Sequence, residues 1–148
     1  MIEKTNGGFL ITQIKQIQGR IFEKLLAEAG ISEFNGAQGR ILYVLWERDS
    51  VPIVELARKT GLAKTTLTSM LDRLEKEHLL CRKADKRDRR KIYISLTEKA
   101  KGLRETYNLV SAKMNVLFYE NFLDAEIQAF ECQLKKILEN LQETERKL

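Results

Sequence analysis

The chain has 148 residues, of which 43% are hydrophobic and 32% charged, and its formal net charge is +5. This length suits one compact domain, or one small domain with an oligomerisation element, and the composition argues against a disordered chain. There is no run of about 18 apolar residues, and the first eight residues lack the basic start and apolar core of a signal peptide. We therefore expect a cytoplasmic protein that makes no membrane contact.

The sequence offers little for catalysis or metal binding. Its two cysteines, Cys81 and Cys132, belong to no CxxC or Cys/His pattern, and there is a single histidine. No nucleophile–base pair and no phosphate-binding loop is recognisable. We therefore expect reduced thiols, no metal site, no cofactor and no enzymatic activity.

The N-terminal part predicts two helices. Between Phe9 and Ala29 apolar residues recur at helical spacing, at Leu10, Ile14, Ile17, Ile21 and Leu25. Gly30 is a suitable stop because glycine adopts the left-handed conformation without a side-chain penalty. After the loop 31–36, a second helix with a strongly apolar segment from Ile41 to Trp46 is expected at the centre of the fold.

Two short helices with a tight turn are predicted over residues 52–61 and 63–77. Pro52 is expected in the first helical turn, where its missing N–H is not needed. Counting from Ile53, Ala57 is fifth, Gly61 ninth and Leu67 fifteenth. A small residue, a glycine and an aliphatic residue at this spacing are typical of a helix-turn-helix.

The second of these helices has the composition of a recognition helix. Its predicted buried face is formed by Leu67, Met70, Leu71 and Leu74. The opposite face carries short hydroxyl side chains and cations, namely Lys64, Thr65, Thr66, Ser69 and Arg73. Such residues fit the major groove, where Lys and Arg reach guanine or phosphate. The alternative is a solvated face on which Thr and Ser act as helix caps.

A basic hairpin follows this helix. Residues 79–84 and 91–96 alternate as strands do, and six charged residues, 85–90, connect them. Between Arg58 and Lys91 there are twelve Lys/Arg and five Asp/Glu, a local +7, whereas the rest of the chain carries −2. This concentration of positive charge is expected where a face meets phosphates. A charged loop is usually only solvated, but arginines at a hairpin tip suit the narrow minor groove.

Amphipathic helices are also predicted at the C-terminus. Thr97 is expected to cap a long helix that ends near Glu120, and Asp124 is expected to cap the last helix. Their apolar positions, at near-heptad spacing, are Leu103, Tyr107, Val110, Met114 and Leu117, then Ile127, Phe130, Leu134, Ile137 or Leu138, and Leu141. These exceed what a small winged domain needs for its own core, so pairing with a second subunit is expected.

The predicted fold is therefore mainly α with a small β-hairpin wing. Residues 35–96 are expected to form a winged helix-turn-helix DNA-binding domain. Residues 1–34 and 97–148 are expected to form a helical dimerisation region.

The segments 63–77, 85–90 and 94–102 resemble the MarR (multiple antibiotic resistance regulator) family of transcription factors. The most specific part is Asp88-x-Arg90, six residues before Leu96-Thr97. The resemblance implies that Arg90 enters the minor groove and Asp88 orients it, with Arg87 and Arg89 as neighbours on phosphate. It also implies a homodimer built from the first, fifth and sixth helices, with half-sites about one helical turn apart on a pseudo-palindromic operator.

Two departures from the family pattern stand out. His78 replaces a glycine common after the recognition helix, which requires either a left-handed non-glycine residue or a different helix end. Peroxide-sensing members keep a reactive cysteine in the first helix. This chain has none there, so thiol sensing is unsupported.

Many members of the family bind small anionic or aromatic effectors in a cleft between the dimer helices and the winged domain. The candidates to line such a cleft here are Phe9, Gln13, Arg20, Tyr43, Trp46 and Tyr107. Each of them can equally be a core or interface residue.

The function expected from these features is that of a dimeric regulator, more specifically a repressor, that binds double-stranded DNA and whose relief by an effector stays open. The alternative is a winged-helix protein-interaction module that binds DNA only weakly and without sequence preference.

Overall fold

The computed structural model describes residues 4–148, which form helices and a small antiparallel sheet. The elements, in chain order, are α1 (Gly7–Glu28), α2 (Gly36–Glu47), β1 (Val51–Pro52), α3 (Ile53–Thr60), α4 (Lys64–Lys76), β2 (Leu80–Ala84), β3 (Ile92–Leu96), α5 (Glu98–Lys101), α6 (Arg104–Phe118) and α7 (Asp124–Lys147). The predicted fold class is confirmed. The contacts divide the chain into two compact units, one ending at Met114 and one running from Asn115 to Leu148.

Local signals set the bounds of α1 and α2. Gly30 has a φ of +82°, and the N–H of Ile31 donates to the carbonyl of Leu26 at 3.0 Å, as predicted for a glycine stop. The Asn35 side chain accepts the Gln38 N–H at 2.8 Å, and the Gln38 side chain accepts the Asn35 N–H at 3.0 Å. This reciprocal capping box satisfies two N–H groups at the start of α2.

Helix α2 lies at the centre of the core of the first unit, as expected. Its residues Ile41, Leu42 and Leu45 are fully buried. A Cβ at Gly39 would come within 2.7 Å of the Tyr107 ring, so this glycine permits the close approach of α2 and α6. Position 39 therefore has little room for a larger residue.

The sheet has the order β1-β3-β2. The predicted hairpin is β2–β3, and β1 is a third strand that pairs with the free edge of β3. Val51 pairs with Ile94, and Pro52 pairs with Tyr93. Pro52 marks the start of α3 as predicted, but it is the N-cap residue rather than a residue of the first helical turn. Its ψ of 146° is extended, and it precedes α3 on an edge strand, where a residue without an N–H is tolerated.

The long helix predicted from Thr97 to about Glu120 is divided into α5 and α6. Thr97 does cap α5, because its hydroxyl accepts the Ala100 N–H at 3.2 Å. The division follows from Ala100, whose carbonyl accepts the Trp46 indole N–H at 3.0 Å and the Leu103 N–H in a tight turn at 3.1 Å.

The start of α7 also differs from the prediction. Leu123 occupies the cap position, and Asp124, expected as the cap, is the first helical residue. The Glu126 carboxylate accepts the Leu123 N–H at 2.8 Å, so Glu126 satisfies this donor instead.

Candidate nucleic-acid interface

Helices α3 and α4 form the predicted helix-turn-helix. Gly61, with a φ of +71°, ends α3, and its N–H donates to the Ala57 carbonyl at 2.9 Å. On α4, Leu67, Leu71 and Leu74 are buried as expected, whereas Met70 is only half-buried. One face of α4 is thus fixed to the core, which leaves the opposite face to solvent.

All five predicted recognition residues are exposed on that opposite face. Four of them, together with Met70 and two residues of the α2 capping box, line a groove of about 430 Å³. The lining residues are Asn35, Gln38, Thr65, Thr66, Ser69, Met70 and Arg73. Lys64 lies one residue before this set, at the start of α4. Sequence reasoning missed the flank made by Asn35 and Gln38, because a capping box predicts a helix start but not its neighbour in space.

The wing tip between β2 and β3 is built by two aspartates. The Asp85 carboxylate accepts the Arg87 N–H at 2.8 Å. One oxygen of Asp88 accepts both the Arg90 N–H at 3.1 Å and the Arg90 Nε–H at 3.2 Å. These side-chain-to-backbone bonds are typical of Asx turns. They give an exposed loop a defined shape.

Arg90 is oriented by Asp88 but remains open to solvent. Its side chain is 92% exposed. The Arg90 backbone N–H, followed by its guanidinium, lowers the pKa of the Asp88 carboxyl below its ordinary value of 3.8. Asp88 is therefore ionised at neutral pH and holds a cation at the tip of the wing. Arg87 and Arg89, the other predicted wing residues, are exposed beside it.

An ion pair connects the hairpin to α4. Arg82 on β2 pairs with Asp72 on α4, and its Nε lies 4.0 Å from the Glu75 carboxylate. Sequence reasoning missed this contact, since the three charges appear in the chain only as members of a basic region. The pair links β2 to α4.

Helix α4 ends at Lys76, and His78, which follows the C-cap Glu77, is in the left-handed conformation with a φ of +60°. The His78 N–H donates to the Glu75 carbonyl and the Leu79 N–H donates to the Leu74 carbonyl, each at 3.0 Å. This is the hydrogen-bond pattern of a Schellman motif, in which glycine is usual. Of the two options open for His78, the structure has the left-handed one.

The six candidates for an effector cleft fall into two groups. Trp46 and Tyr107 are buried, with ring centroids 5.0 Å apart, and they pack with Phe22 and Phe34 in an aromatic cluster of the core. Burial raises the pKa of the Tyr107 hydroxyl. The other candidates are exposed on α1 and α2, namely Phe9, Gln13, Arg20 and Tyr43.

Arg20 lines a groove of about 310 Å³ together with two further cations, Lys15 and Arg40, and one acid, Glu23. Among residues 4–148, His, Cys, Asp and Glu side chains do not cluster in threes as a metal site would require. Cys81 is half-buried and Cys132 is exposed. No helix within the described range is long and apolar enough to cross a membrane.

We compared the sequence and the fold with known proteins. Residues 34–92 match the model of the MarR family. The fold superimposes with a TM-score of 0.79 on a cysteine-to-serine mutant of MarR from E. coli in complex with operator DNA, at 25% identity over 88% of this chain and 92% of that chain. Residues 34–92 of the chain are a MarR-family domain.

Relatives within the MarR family are transcriptional regulators by name. The chain is 36% identical over 86 residues to the regulator TtmR of Methylorubrum extorquens, a match covering 58% of this chain and 43% of TtmR. It is 29% identical over 135 residues to the repressor YetL of Bacillus subtilis, covering 86% of this chain and 76% of YetL. Against several of its relatives the chain spans less than half of the relative's length.

Proposed function

We propose that the protein is a transcription regulator that binds double-stranded DNA sequence-specifically as a homodimer and acts as a repressor. The observation that carries this proposal is that the polar face of α4 and the tip of the wing are both exposed and belong to the same winged helix-turn-helix. At the tip, Asp88 orients the Arg90 guanidinium, and Arg82 on β2, the strand that leads to the wing tip, pairs with Asp72 on α4. Repression is supported by the match to YetL, a repressor by name.

The exposed face of α4 is proposed to enter the major groove. Thr65, Thr66 and Ser69 are short enough to approach base edges, while Lys64 and Arg73 at the flanks reach guanine or phosphate. Groove entry by the first turns of the second helix is the usual geometry of a helix-turn-helix.

The wing is proposed to supply the second set of contacts. Arg90 is placed in the minor groove, whose negative potential attracts arginine, and Arg87 and Arg89 contact the backbone on either side. Asp88 acts indirectly, because its carboxylate restrains the Arg90 side chain before DNA arrives. Restraint of this kind lowers the entropy lost on binding.

The homodimer is proposed to form through residues 1–34 and 97–148, with residues 35–96 as the DNA-binding domain. The first three residues of that dimerisation region lie outside the described part of the chain. Apolar side chains are exposed along α1 and α7, including Ile14, Ile17, Leu138 and Leu141. Exposed apolar residues of this kind, on each helix by itself, mark an interaction site.

An effector site, if it follows the family, is proposed at the exposed candidates rather than at the enclosed aromatic pair. The groove containing Lys15, Arg20 and Arg40 has a positive balance, which suits a small aromatic carboxylate. Release of operator DNA on titration with such acids, lost in Arg20→Ala, tests this assignment. Release that persists in Arg20→Ala would place the site elsewhere.

The DNA-binding function is tested by a gel-shift assay with the upstream region of the protein's own gene and excess competitor DNA. We expect a specific complex that survives the competitor. Arg90→Ala is expected to weaken this complex and to lower the slope of log affinity against log salt by about one phosphate equivalent.

Arg146→Ala provides the matched control, because it removes the same charge from α7, where Arg146 pairs with Glu143. It is expected to bind as the wild type does. An unchanged affinity and salt slope in Arg90→Ala would refute the role of the wing. Weak binding that competitor DNA abolishes would instead favour a protein-interaction module.

A further inference from the structure

The C-terminal end of the recognition helix is bound by a short segment that follows the wing. Three successive carbonyls at that end accept hydrogen bonds from only two residues. The Glu77 carbonyl accepts from Lys99 Nζ at 2.9 Å, and the His78 carbonyl accepts from Thr97 Oγ1 at 2.7 Å. The Leu79 carbonyl accepts from the Thr97 N–H at 3.1 Å. Glu77 is the C-cap of α4, where carbonyls have no intrahelical partner, and the Leu79 bond continues the β2–β3 pairing by one residue.

We infer that Thr97 and Lys99, hereafter the α4 clamp, are positioning residues that fix the orientation of the recognition helix for DNA binding. The inference rests on the proposed function. It concerns contacts that lie at the opposite end of α4 from Lys64, Thr65 and Thr66. With 13 residues, α4 is about 20 Å long, so the clamp is distant from the turns that enter the groove.

The hydroxyl of Thr97 has two simultaneous partners. It donates to the His78 carbonyl at the end of α4 and accepts the Ala100 N–H at the start of α5. Among uncharged side chains of this size, only a hydroxyl can donate and accept in this way. The same atom therefore joins the end of one helix to the beginning of the next.

Lys99 adds a charge to this junction. Its ammonium donates to the Glu77 carbonyl, close to the negative end of the α4 dipole. A cation there is favourable. Although Lys99 belongs to a basic protein that is proposed to bind DNA, its ammonium is directed to a helix end.

Helix α5 is itself held from the other side. Ala100 is fully buried, and its carbonyl accepts the Trp46 indole N–H from the central helix α2. At the entry to α5, the Asp49 carboxylate accepts the Leu96 N–H at 2.9 Å. The clamp therefore connects α4 to a segment that is anchored in the core and that continues into α6. A displacement of α5 would be transmitted to the recognition helix.

The inference is tested with Thr97→Val, which keeps the shape and removes the hydroxyl, and Lys99→Met, which keeps most of the length and removes the ammonium. Thr97→Ser and Lys99→Arg are the conservative partners. Lys136→Met on α7 is the matched control for charge. Operator affinity is measured over a range of salt concentrations, with circular dichroism and the melting temperature recorded for each variant.

We expect Thr97→Val to weaken operator binding by about tenfold, the equivalent of one net hydrogen bond, without changing the salt slope. Thr97→Ser should restore binding. Lys99→Met should weaken operator binding more than Lys136→Met does, again with a slope like that of Lys136→Met. Lys99→Arg should retain binding.

Two results would overturn the inference. Wild-type affinity in both Thr97→Val and Lys99→Met would show that the clamp does not position α4. A salt slope lowered by about one in Lys99→Met, as expected for Arg90→Ala, would show that Lys99 contacts phosphate directly.

Hydrogen exchange separates failure of the clamp from failure of the proposed function, because it needs no DNA. The His78 and Leu79 amides, which close the end of α4, should exchange faster in Thr97→Val than in the wild type or Thr97→Ser. Unchanged exchange would refute the clamp. A wild-type protein that forms no specific DNA complex would refute the proposed function instead.

Discussion

Apolar residues are buried in the region from α2 to β3 but exposed on the terminal helix α7. In the first region leucines such as Leu42, Leu56 and Leu71 are fully buried. Helix α7 is 24 residues long and contains no buried residue, and Ile137, Leu138 and Leu141 are 43%, 54% and 63% exposed. One region closes its own core within a single copy, whereas the other presents an apolar face that the proposed homodimer would cover.

Helix α1 combines both behaviours along its length. Its C-terminal half contributes Phe22 and Leu26 to the core, while Leu10 and Ile17 nearer its start are about half exposed, at 52% and 49%. The contrast within one helix indicates where the self-contained fold ends and the surface proposed for dimerisation begins. Amphipathic spacing alone does not distinguish these two uses.

The largest effect is expected from a cavity in the closed core. Leu71→Ala should lower the free energy of unfolding by about 2–5 kcal/mol, because it removes buried methyl groups and leaves a cavity. Leu141→Ala on the open face is the matched substitution. The loss of stability in Leu141→Ala should depend on protein concentration, since the proposed dimer would stabilise the open face by association. Urea unfolding at two protein concentrations measures the loss of stability in both variants. An equal dependence on protein concentration in Leu71→Ala and Leu141→Ala would remove the distinction between the regions.

The next effect concerns the open face itself. Leu138→Glu with Leu141→Glu should dissociate the dimer and weaken operator binding by about 100-fold, because two linked recognition helices bind with avidity. Asn140→Glu with Gln142→Glu adds two glutamates to α7 outside the apolar positions and should leave the dimer intact. Sedimentation velocity gives the mass. A Leu138/Leu141 double variant that sediments as the wild type does would exclude this face from the interface.

A smaller effect is expected at the wing, where function depends on orientation rather than burial. Asp88→Asn keeps an oxygen that can accept from the Arg90 N–H but loses the charge that restrains its guanidinium. Operator binding should weaken, though less than in Arg90→Ala. Fluorescence anisotropy with labelled operator DNA measures the difference, and equal binding by the wild type and Asp88→Asn would contradict an orienting role.

The lowered pKa of Asp88 determines how the difference in operator affinity between the wild type and Asp88→Asn depends on pH. A carboxyl with a depressed pKa contributes above its ordinary value of 3.8 and loses its contribution as the pH falls through the lowered value. The ratio of wild-type to Asp88→Asn affinity should therefore be constant between about pH 5 and 8. A ratio that changes within this range would assign the effect to another group.

The smallest effect is expected in the second compact unit. The Tyr119 hydroxyl donates to the Glu131 carboxylate at 2.6 Å, and desolvation together with this bond raises its pKa from 10.0 to about 12. The folded state thus keeps its proton at a pH where the unfolded chain has lost it. The free energy of unfolding should fall as the pH rises from 10 to about 12.

Tyr119→Phe should flatten this part of the pH profile, because phenylalanine has no proton to lose. Thermal melts at several pH values between those limits provide the measurement. Phe122 lies beside Tyr119 in the same aromatic cluster, and Phe122→Leu is the control that should leave the slope unchanged. Identical slopes in Tyr119→Phe and the wild type would refute the assignment.

The sequence predicted those parts of the fold that depend on neighbouring residues. The left-handed Gly30 and Gly61, the buried face of α4 and the paired strands of the hairpin all follow from short-range patterns. Strand β1 was missed because two residues carry no periodicity, and its existence depends on pairing with the distant Ile94. The break between α5 and α6 was missed because it depends on the Trp46 indole.

The candidate site divides in the same way. The exposed residues of α4 could be predicted from composition and short spacing, whereas the Asp88–Arg90 pair was predicted from the resemblance to the MarR family. Trp46 and Tyr107 could not be assigned between core and cleft, because only the packed structure places their rings together. The contacts that orient the site, including those of the α4 clamp, join residues far apart in the chain and leave no local pattern.

The most direct test of a dimeric winged helix on DNA is hydroxyl-radical footprinting of the operator with the full-length protein. We expect two protected patches related by a pseudo-twofold axis and centred about one helical turn apart, one for each copy. In Leu138→Glu with Leu141→Glu, both patches should be lost together at protein concentrations that saturate the wild type. A single protected patch in the wild type, or uniform protection along the duplex, would contradict this account.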